Sequence, residues 1–598
     1  MTLQKLIASA VMYLLLYPQA GPTVDLSPNN WKPDEKAQAE QAEMAPWPLQ
    51  AKVIEGKSGL VAATMSPIAV RAGIEALRQG GTAADAAATV ALTQIATALG
   101  SYVSYAGIMQ LVYFEAKSGK VYSLNAGWNS YLGDTDPKTI AVANLGPLPF
   151  AKEATAGAEG RKTLVPGFMA GIEAMHTRFG LLPFSTLFQP AISYAENGIA
   201  VSPLQGAYFS MFGKYLTRTA EGRAFLNQAG DALPKSGDRF IQADLAKTLR
   251  AVAKNGSSSM YTGAWGQQYV EAVRREGGKA SMEDMKRYRP IWEEPLSTTF
   301  QGHAVYAPGK TNNSAIGLLE TLNLAEARQL EQMGPYYNDE KAFRTLSSIL
   351  QFASLDGLPI PQLSEWKLKH GLGLMPEDRL TKPYARALAA VLDEFGNPSQ
   401  QEDTHHSCAV VVVDRWGNVA ALVHSINTAP WGTTGIVVGG IPVSDAAGFQ
   451  QARLAAIKPG DPVPQDEAPA IAMTGGKPTL AVATIGVSLF PETARLLVGV
   501  LANHLDPQTI MAAPALLSNF EPQTAGESLA ERPLLVPEGS YDPEFLKRLR
   551  ESGIHLKEKP KQEFYAIKGT AVLGSIDPQS GILRSVETPG VFGFAAAY

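Results

Sequence analysis

The run Thr404-His-His-Ser-Cys-Ala-Val-Val-Val-Val-Asp-Arg-Trp-Gly-Asn-Val-Ala-Ala-Leu-Val-His-Ser-Ile-Asn427 sets hydroxyl and amide side chains at the mouth of two apolar stretches. Cys408 to Val413 and Val419 to Ile426 read as β-strands joined by a tight turn through Asp414, Gly417 and Asn418. Closing that hairpin between Asp414 and Val419 puts Ser407 opposite Ile426, within one residue. Period-2 alternation places Ser425 and Asn427 on one face, and a one-residue shift of register brings Ser407 onto it. Thr404 overshoots to Ala429. Geometry therefore prefers Ser407 as nucleophile, with Thr404 as the alternative.

A Ser or Thr at a chain end can supply its own base. Once the bond before it is cut, its α-amino group lies within reach of the hydroxyl, and the reference pKa of that amine, roughly 8, is close enough to neutral for proton uptake. Such a site needs no histidine, metal or organic cofactor. The polar run Asn397-Pro-Ser-Gln-Gln-Glu-Asp403 just upstream reads as an exposed processing loop. Asp403, His405 and His406 do not read as a metal site, because adjacent histidines on an extended segment point to opposite sides. Cys408, the only cysteine, excludes an intramolecular disulfide and is expected to be buried and inert.

The elements that must hold these residues follow from periodicity. Pro67 to Gln79 reads as a helix with Val70, Ile74 and Leu77 on one side and Gly80-Gly81 as its stop. Ala83 to Ala98 is alanine-rich enough to pack closely on a neighbouring helix. Phe168, Ile172, Met175 and Phe179 make one apolar face of a helix over Gly167 to Phe179. Further helices are expected at 245–254, 267–276, 342–355, 492–503 and 543–551. Strands are expected at 107–114, 120–124, 435–443, 478–485 and 571–576. Helices first and strands concentrated late fit a layered α/β arrangement.

Composition narrows the function. The 598 residues carry 51 basic and 56 acidic side chains, a formal charge of −5, which gives no reason to expect nucleic acid or an anionic membrane as partner. Lys5 precedes an apolar run from Leu6 to Tyr17, too short for a spanning helix, with small residues at Ala20-Gly21. Residues 1–22 thus read as a signal peptide and the protein as secreted or periplasmic, with an apolar N-terminal anchor that stays attached as the alternative. Residues 23–58, with the Pro-, Glu-, Gln- and Ala-rich stretch Asn29 to Pro48, read as a linker.

These residues resemble the γ-glutamyltransferase family of N-terminal-nucleophile hydrolases. That family has a Thr seven positions before an Asp, then a Gly-Asn turn, then a hydroxyl residue and an Asn; the same spacing here gives Ser407, Asp414, Gly417-Asn418, Ser425 and Asn427. Gly80-Gly-Thr-Ala-Ala-Asp-Ala-Ala87, Val165-Pro-Gly-Phe-Met-Ala-Gly171 and Pro190-Ala-Ile-Ser-Tyr-Ala-Glu-Asn-Gly198 follow the family's order. The resemblance implies a four-layer αββα sandwich and autocatalytic cutting of the His406–Ser407 bond. A large segment, 59–406, and a small one, 407–598, would then form one fold as a heterodimer of the chain's own two fragments.

It further implies that Ser425 and Asn427 hold nucleophile and substrate, and that the oxyanion site lies at Gly486-Val487, where the family has two glycines. The chain departs from the family where the substrate is gripped. No Arg stands in Ser123 to Asn129, Gln465-Asp466 replaces a Ser-Ser pair, and Gly440 to Phe449 lacks most of the polar side chains that receive an α-amino group. Asp466 is expected to repel an anion, and a lost charged fork typically costs several kcal/mol. Trp128 and Trp431 suggest a more apolar pocket. The expected activity is a cofactor-free amidohydrolase or acyltransferase on a small amide. The alternatives are a true γ-glutamyltransferase or glutathione hydrolase, and an uncleaved homologue with a binding role.

Overall fold

A strand that is apolar on both faces requires cover on both faces. Every residue of Ser407–Val413 and Val419–Ser425 is buried. A computed structural model, which describes residues 24–598 apart from 46, 49, 142–157, 228–229, 231, 357–359, 396–406, 487–488 and 518–532, shows what covers them. The two strands are central in a seven-stranded sheet. Its order is Gly593–Ala597, Leu60–Thr64, Ser407–Val413, Val419–Ser425, Ile108–Glu115, Lys120–Ala126, Ile291–Glu293. A second seven-stranded sheet runs Lys52–Gly56, Leu583–Glu587, Ala571–Ile576, Lys477–Thr484, Ala470–Thr474, His303–Ala307, Leu296–Phe300. All pairings within both sheets are antiparallel. The fold is thus α+β with antiparallel sheets.

Alternation along the strands sorts their side chains into separate apolar clusters. Ala409, Val411, Val413, Ala421 and Val423 of the first sheet pack with Ile471, Ala481, Ala483 and Val572 of the second. Cys408, Val410, Val412 and Leu422 pack on the other face with the helices Pro67–Arg78, Ala83–Thr97 and Phe168–Phe179. The outer face of the second sheet, with Ala472, Leu480, Val482 and Leu573, is covered by Asn313–Ala327, Glu340–Asp356 and Leu489–Leu501. The alanine-rich helix is buried along its whole length. A methyl group on Gly73 of its neighbour would lie 2.5 Å from Val90 Cγ2, so small residues permit this close approach.

One carboxylate ties the hairpin to that helix pair. Asp414 Oδ1 accepts the backbone N–H groups of Trp416 (2.9 Å) and Asn418 (3.0 Å), closing the turn. Its Oδ2 accepts the N–H of Ala83 at 2.8 Å, an otherwise orphaned donor at a helix N-terminus. Thr82 and Asp85 complete a capping box there. The sequence motifs at 80–87 and 414–418 are therefore two sides of one contact.

Several expectations change. Strands are not concentrated late: the first sheet takes four from before residue 407 and three from after, the second three and four. The expected strand at 435–443 is two short ones, Val437–Val438 and Ile441–Pro442, because Gly439 (φ +54°) and Gly440 (φ +77°) turn the chain between them. The segment expected as a linker carries a helix, Pro33–Glu43, and packs into the fold. Leu26 and Trp31 are buried, Trp31 Nε1 donates to Leu26 O, and Arg71 stacks over its ring at 5.0 Å. Glu43 accepts from Ser66 Oγ and the Ile68 N–H at the start of Pro67–Arg78. The expected signal peptide lies outside the described residues. Among those described, no helix is long and apolar enough to cross a membrane.

If residues 24–44 are part of the fold, Trp31→Ala should cost about 3–5 kcal/mol in urea unfolding. A linker residue would change stability by less than about 0.5 kcal/mol.

Candidate active site

The hairpin register sets the nucleophile. Val413 pairs with Val419, so Ser407 falls directly opposite Ser425 rather than Ile426. Ser407 Oγ donates to Ser425 Oγ at 3.0 Å, and the backbone N–H of Asn427 donates to the same oxygen at 2.9 Å. Asn427 leaves the strand in the left-handed region (φ +52°), which turns that N–H back toward Ser425. All three residues are buried. Two residues further along, the N–H of Ala409 donates to Thr64 Oγ1 at 2.8 Å, which fixes the start of the strand against its other neighbour.

Ser407 shares its face with Ala409 and Val411, between the two sheets, whereas Cys408 and its partner His424 face the helices. Burial pushes the Cys408 thiol up to about 12, so it stays protonated and inert. His424 bonds Gln94 Oε1 at 2.9 Å, and burial pushes its imidazole down to about 3. Among the described residues, the histidine nearest to Ser407 in register is therefore neutral and on the wrong side of the sheet to serve as its base.

The second sheet brings its residues to the same end. Gly486 follows the strand Lys477–Thr484 with φ +95°, and an added methyl would lie 2.2 Å from Lys568 O. The crossing with Gly569 is so close that neither chain tolerates a side chain there. Gln465 is fully buried with its side chain against Gly127, its Nε2 donating to Val463 O at 2.5 Å. Asp466 does not stand as a free anion, because it is ion-paired with Arg453. Arg415 is in the far turn, stacked on Trp416, about 20 Å of strand away from Ser407.

Two residues of this end escaped the sequence reading. Gln110 lies opposite Val423 and faces the inter-sheet layer, about 8 Å from Ser425 by strand spacing. Its Nε2 donates to Asn125 Oδ1 at 2.7 Å, within the segment that lacks an Arg. Glu467, buried beside Asp466, has its carboxyl pushed up to about 7 by burial and by that neighbouring charge. A single polar residue inside the apolar run Ile108–Phe114 was the available signal for Gln110. Trp128 and Trp431 are core: Trp431 stacks on Phe209 at 4.8 Å, and both rings are buried. Thr404, Val487 and the Asp403, His405, His406 cluster lie outside the described residues. Among those described, no group of three His, Cys, Asp or Glu side chains is placed to hold a metal ion.

The family profile described as Gamma-glutamyltranspeptidase matches residues 69–577. The chain belongs to the gamma-glutamyltranspeptidase family. It is 28% identical over 472 residues to a glutathione hydrolase proenzyme of Pseudomonas aeruginosa, covering 73% of this chain and 79% of that one. An acylase ACY 1 proenzyme of Pseudomonas sp. strain V22 is 27% identical over 496 residues, 79% of this chain and 84% of that one. Cephalosporin acylase from Bacillus halodurans superposes with a TM-score of 0.73 at 21% identity, over 92% of this chain and 98% of that one, a likeness of fold. This gamma-glutamyltranspeptidase-family chain is an enzyme of the hydrolase and acyltransferase kind.

Two outcomes test the geometry of the site. Gly486→Ala forces a methyl into the Lys568–Gly569 backbone, so amide turnover should fall by about 10²-fold or more with a stability loss above about 1 kcal/mol. Unchanged turnover would place Gly486 outside the site. His424 gives a pH signature. Between pH 6.5 and about 3 the unfolded chain takes up a proton that the folded chain refuses. Its contribution is therefore present above pH 6.5 and lost as the pH falls. Between pH 7 and 4.5 the parent should lose about 2–3 kcal/mol more stability than His424→Gln, measured by urea unfolding. Parallel losses would assign the acid sensitivity elsewhere.

Proposed function

We propose that the chain matures by cutting its own His406–Ser407 bond and then acts as an amidohydrolase or acyltransferase on a small amide. The Ser407 hydroxyl adds to the carbonyl of residue 406. The C–N bond breaks as the ester forms, the nitrogen leaves as the Ser407 amine, and water hydrolyses the ester to a new carboxyl end. The freed amine then takes the hydroxyl proton as Oγ attacks a substrate amide. That proton passes to the departing amine, and the acyl ester is released to water or to a second amine. Ser425 holds the nucleophile through its Oγ, and backbone N–H groups at the Gly486 turn would meet the oxyanion.

The observation that carries this reading is the direct pairing of Ser407 with Ser425 at the mouth of the central hairpin, with Oγ to Oγ at 3.0 Å. The proenzyme names of the relatives support the maturation step. Interleaving of strands from 59–406 and 407–598 in both sheets would keep the two fragments together as one αββα layered fold after the cut. Export through a signal peptide over residues 1–22, to the periplasm or outside the cell, completes the reading.

Gel electrophoresis and terminal sequencing of purified protein should give two fragments, the smaller beginning at Ser407, and Ser407→Ala should stay as one. A fragment beginning at Thr404 would move the nucleophile there. Uncut protein with full amidase activity would sink the mechanism, and uncut inactive protein would point to a binding role. Turnover of γ-glutamyl-p-nitroanilide should be far slower than that of an amide lacking the α-carboxylate, because no Arg stands in Ser123 to Asn129. Efficient saturable turnover would favour a true γ-glutamyltransferase.

A further inference from the structure

Three side-chain oxygens at this end of the inter-sheet layer are buried without a hydrogen-bond partner among the described residues: Gln110 Oε1, Gln465 Oε1 and Glu467 Oε2. Their residues are at most 1% exposed. Both amides are held the right way round by their nitrogens, Gln110 Nε2 on Asn125 Oδ1 and Gln465 Nε2 on Val463 O, so each leaves an oxygen over.

The three are linked through a short chain of contacts. Asn125 Oδ1 also accepts the N–H of Gly127, against which Gln465 packs. Asn125 Nδ2 donates to Thr311 Oγ1, and Thr311 O accepts the N–H of Gln465. Asn312 Nδ2 donates to Glu467 O. Gln110 and Asn125 sit on the Ser407 face of the first sheet, one row along from the Ser407–Ser425 pair.

A buried acceptor left unpaired is costly, so three together call for a donor. The charges agree. Glu293, Asp466 and Glu467 lie in this neighbourhood, Arg453 is paired with Asp466, and Glu293 Oε2 accepts from Thr311. Glu467 has no ion-pair partner among the described residues. Among the described residues an orphaned donor, Trp128 Nε1, also borders this end, its ring clustered with Ile108, the residue paired with Ser425, and with Val463.

Resting on the amidase reading above, we propose that this end is an acyl-group subsite for a chain ending in a cationic nitrogen, an ammonium or guanidinium, received by Gln110, Gln465 and Glu467. An ammonium has three donors and no acceptor, which matches three unpaired oxygens. A carboxylate in the same place meets two amide oxygens that only accept and a carboxyl that supplies at most one proton. The specificity thus runs opposite in charge to a carboxylate-gripping site.

The test uses the matured protein and three p-nitroanilides whose acyl chains share one length and end in an ammonium, a methyl or a carboxylate group. The ammonium-ended amide should have the highest kcat/KM, by about tenfold or more over the methyl-ended one. Glu467→Gln should bring that ratio down toward one. Preference for the methyl- or carboxylate-ended amide overturns this inference and leaves the amidase reading standing, as does an unchanged ratio in Glu467→Gln. Turnover of none of the three by correctly cut protein removes the amidase reading and this inference together. If Glu467→Gln does not fold, the preference of the parent protein decides the question.

Discussion

A strand pair buried on both faces can carry polar side chains only at its ends, and this constraint organises the molecule. Val410 to Val413 and Val419 to Val423 face apolar layers on either side, so a hydroxyl placed mid-strand would be stranded without partners. Ser407 and Ser425 escape that cost because they pair with each other at the last rung, and the Asn427 N–H completes the arrangement. At the opposite end Asp414 does the same through four donors. One end of the hairpin carries the hydroxyl pair and the other a structural clamp.

The second sheet supplies the wall that faces the hydroxyl pair, and buried charge holds that wall. Lys568 O crowds Gly486, while Lys568 Nζ pairs with Glu492 at 2.9 Å on the first turn of Leu489–Leu501. Burial opposes ionisation of Glu492, yet Arg495 and Lys568 outweigh it and hold its carboxyl down at about 2. Removing one member of such a set leaves an uncompensated buried charge, typically at a cost of about 3–5 kcal/mol. The glycine crossover is thus fixed by charges that do not touch the nucleophile. A comparable set, Glu320, Asp356, Lys367 and Arg379, stiffens the outer helices.

Much of the local structure was legible because it depends on near neighbours. The helices at 67–78, 83–97 and 168–179 follow their apolar stripes and caps, and the strand Ala571–Ile576 and helix Pro543–Glu551 fall where the pattern places them. The edge strand Leu296–Phe300 and the penultimate strand Leu583–Glu587 escaped, because short strands with partly exposed side chains carry only a weak alternating signal. The N-terminal helix Pro33–Glu43 escaped for a related reason. It is polar nearly all round, and it is held by Trp31 and Glu43 at its margins rather than by an apolar face of its own.

By itself the sequence determined the hairpin, its hydroxyl and amide residues, the self-supplied base that an N-terminal Ser permits, and the family to which these spacings belong. Register to within one residue was as far as periodicity could reach, since the turn geometry that sets it depends on five loop residues acting together. Only the tertiary structure decided that Ser407 meets Ser425, that Asp466 is neutralised by Arg453, and that Gln110, Gln465 and Glu467 each keep a buried oxygen without a partner among the described residues. Those residues come from three strands, a helix and a connecting segment, up to 357 positions apart (467 − 110). Placement over such distances is fixed by sheet order and packing, which no local pattern encodes.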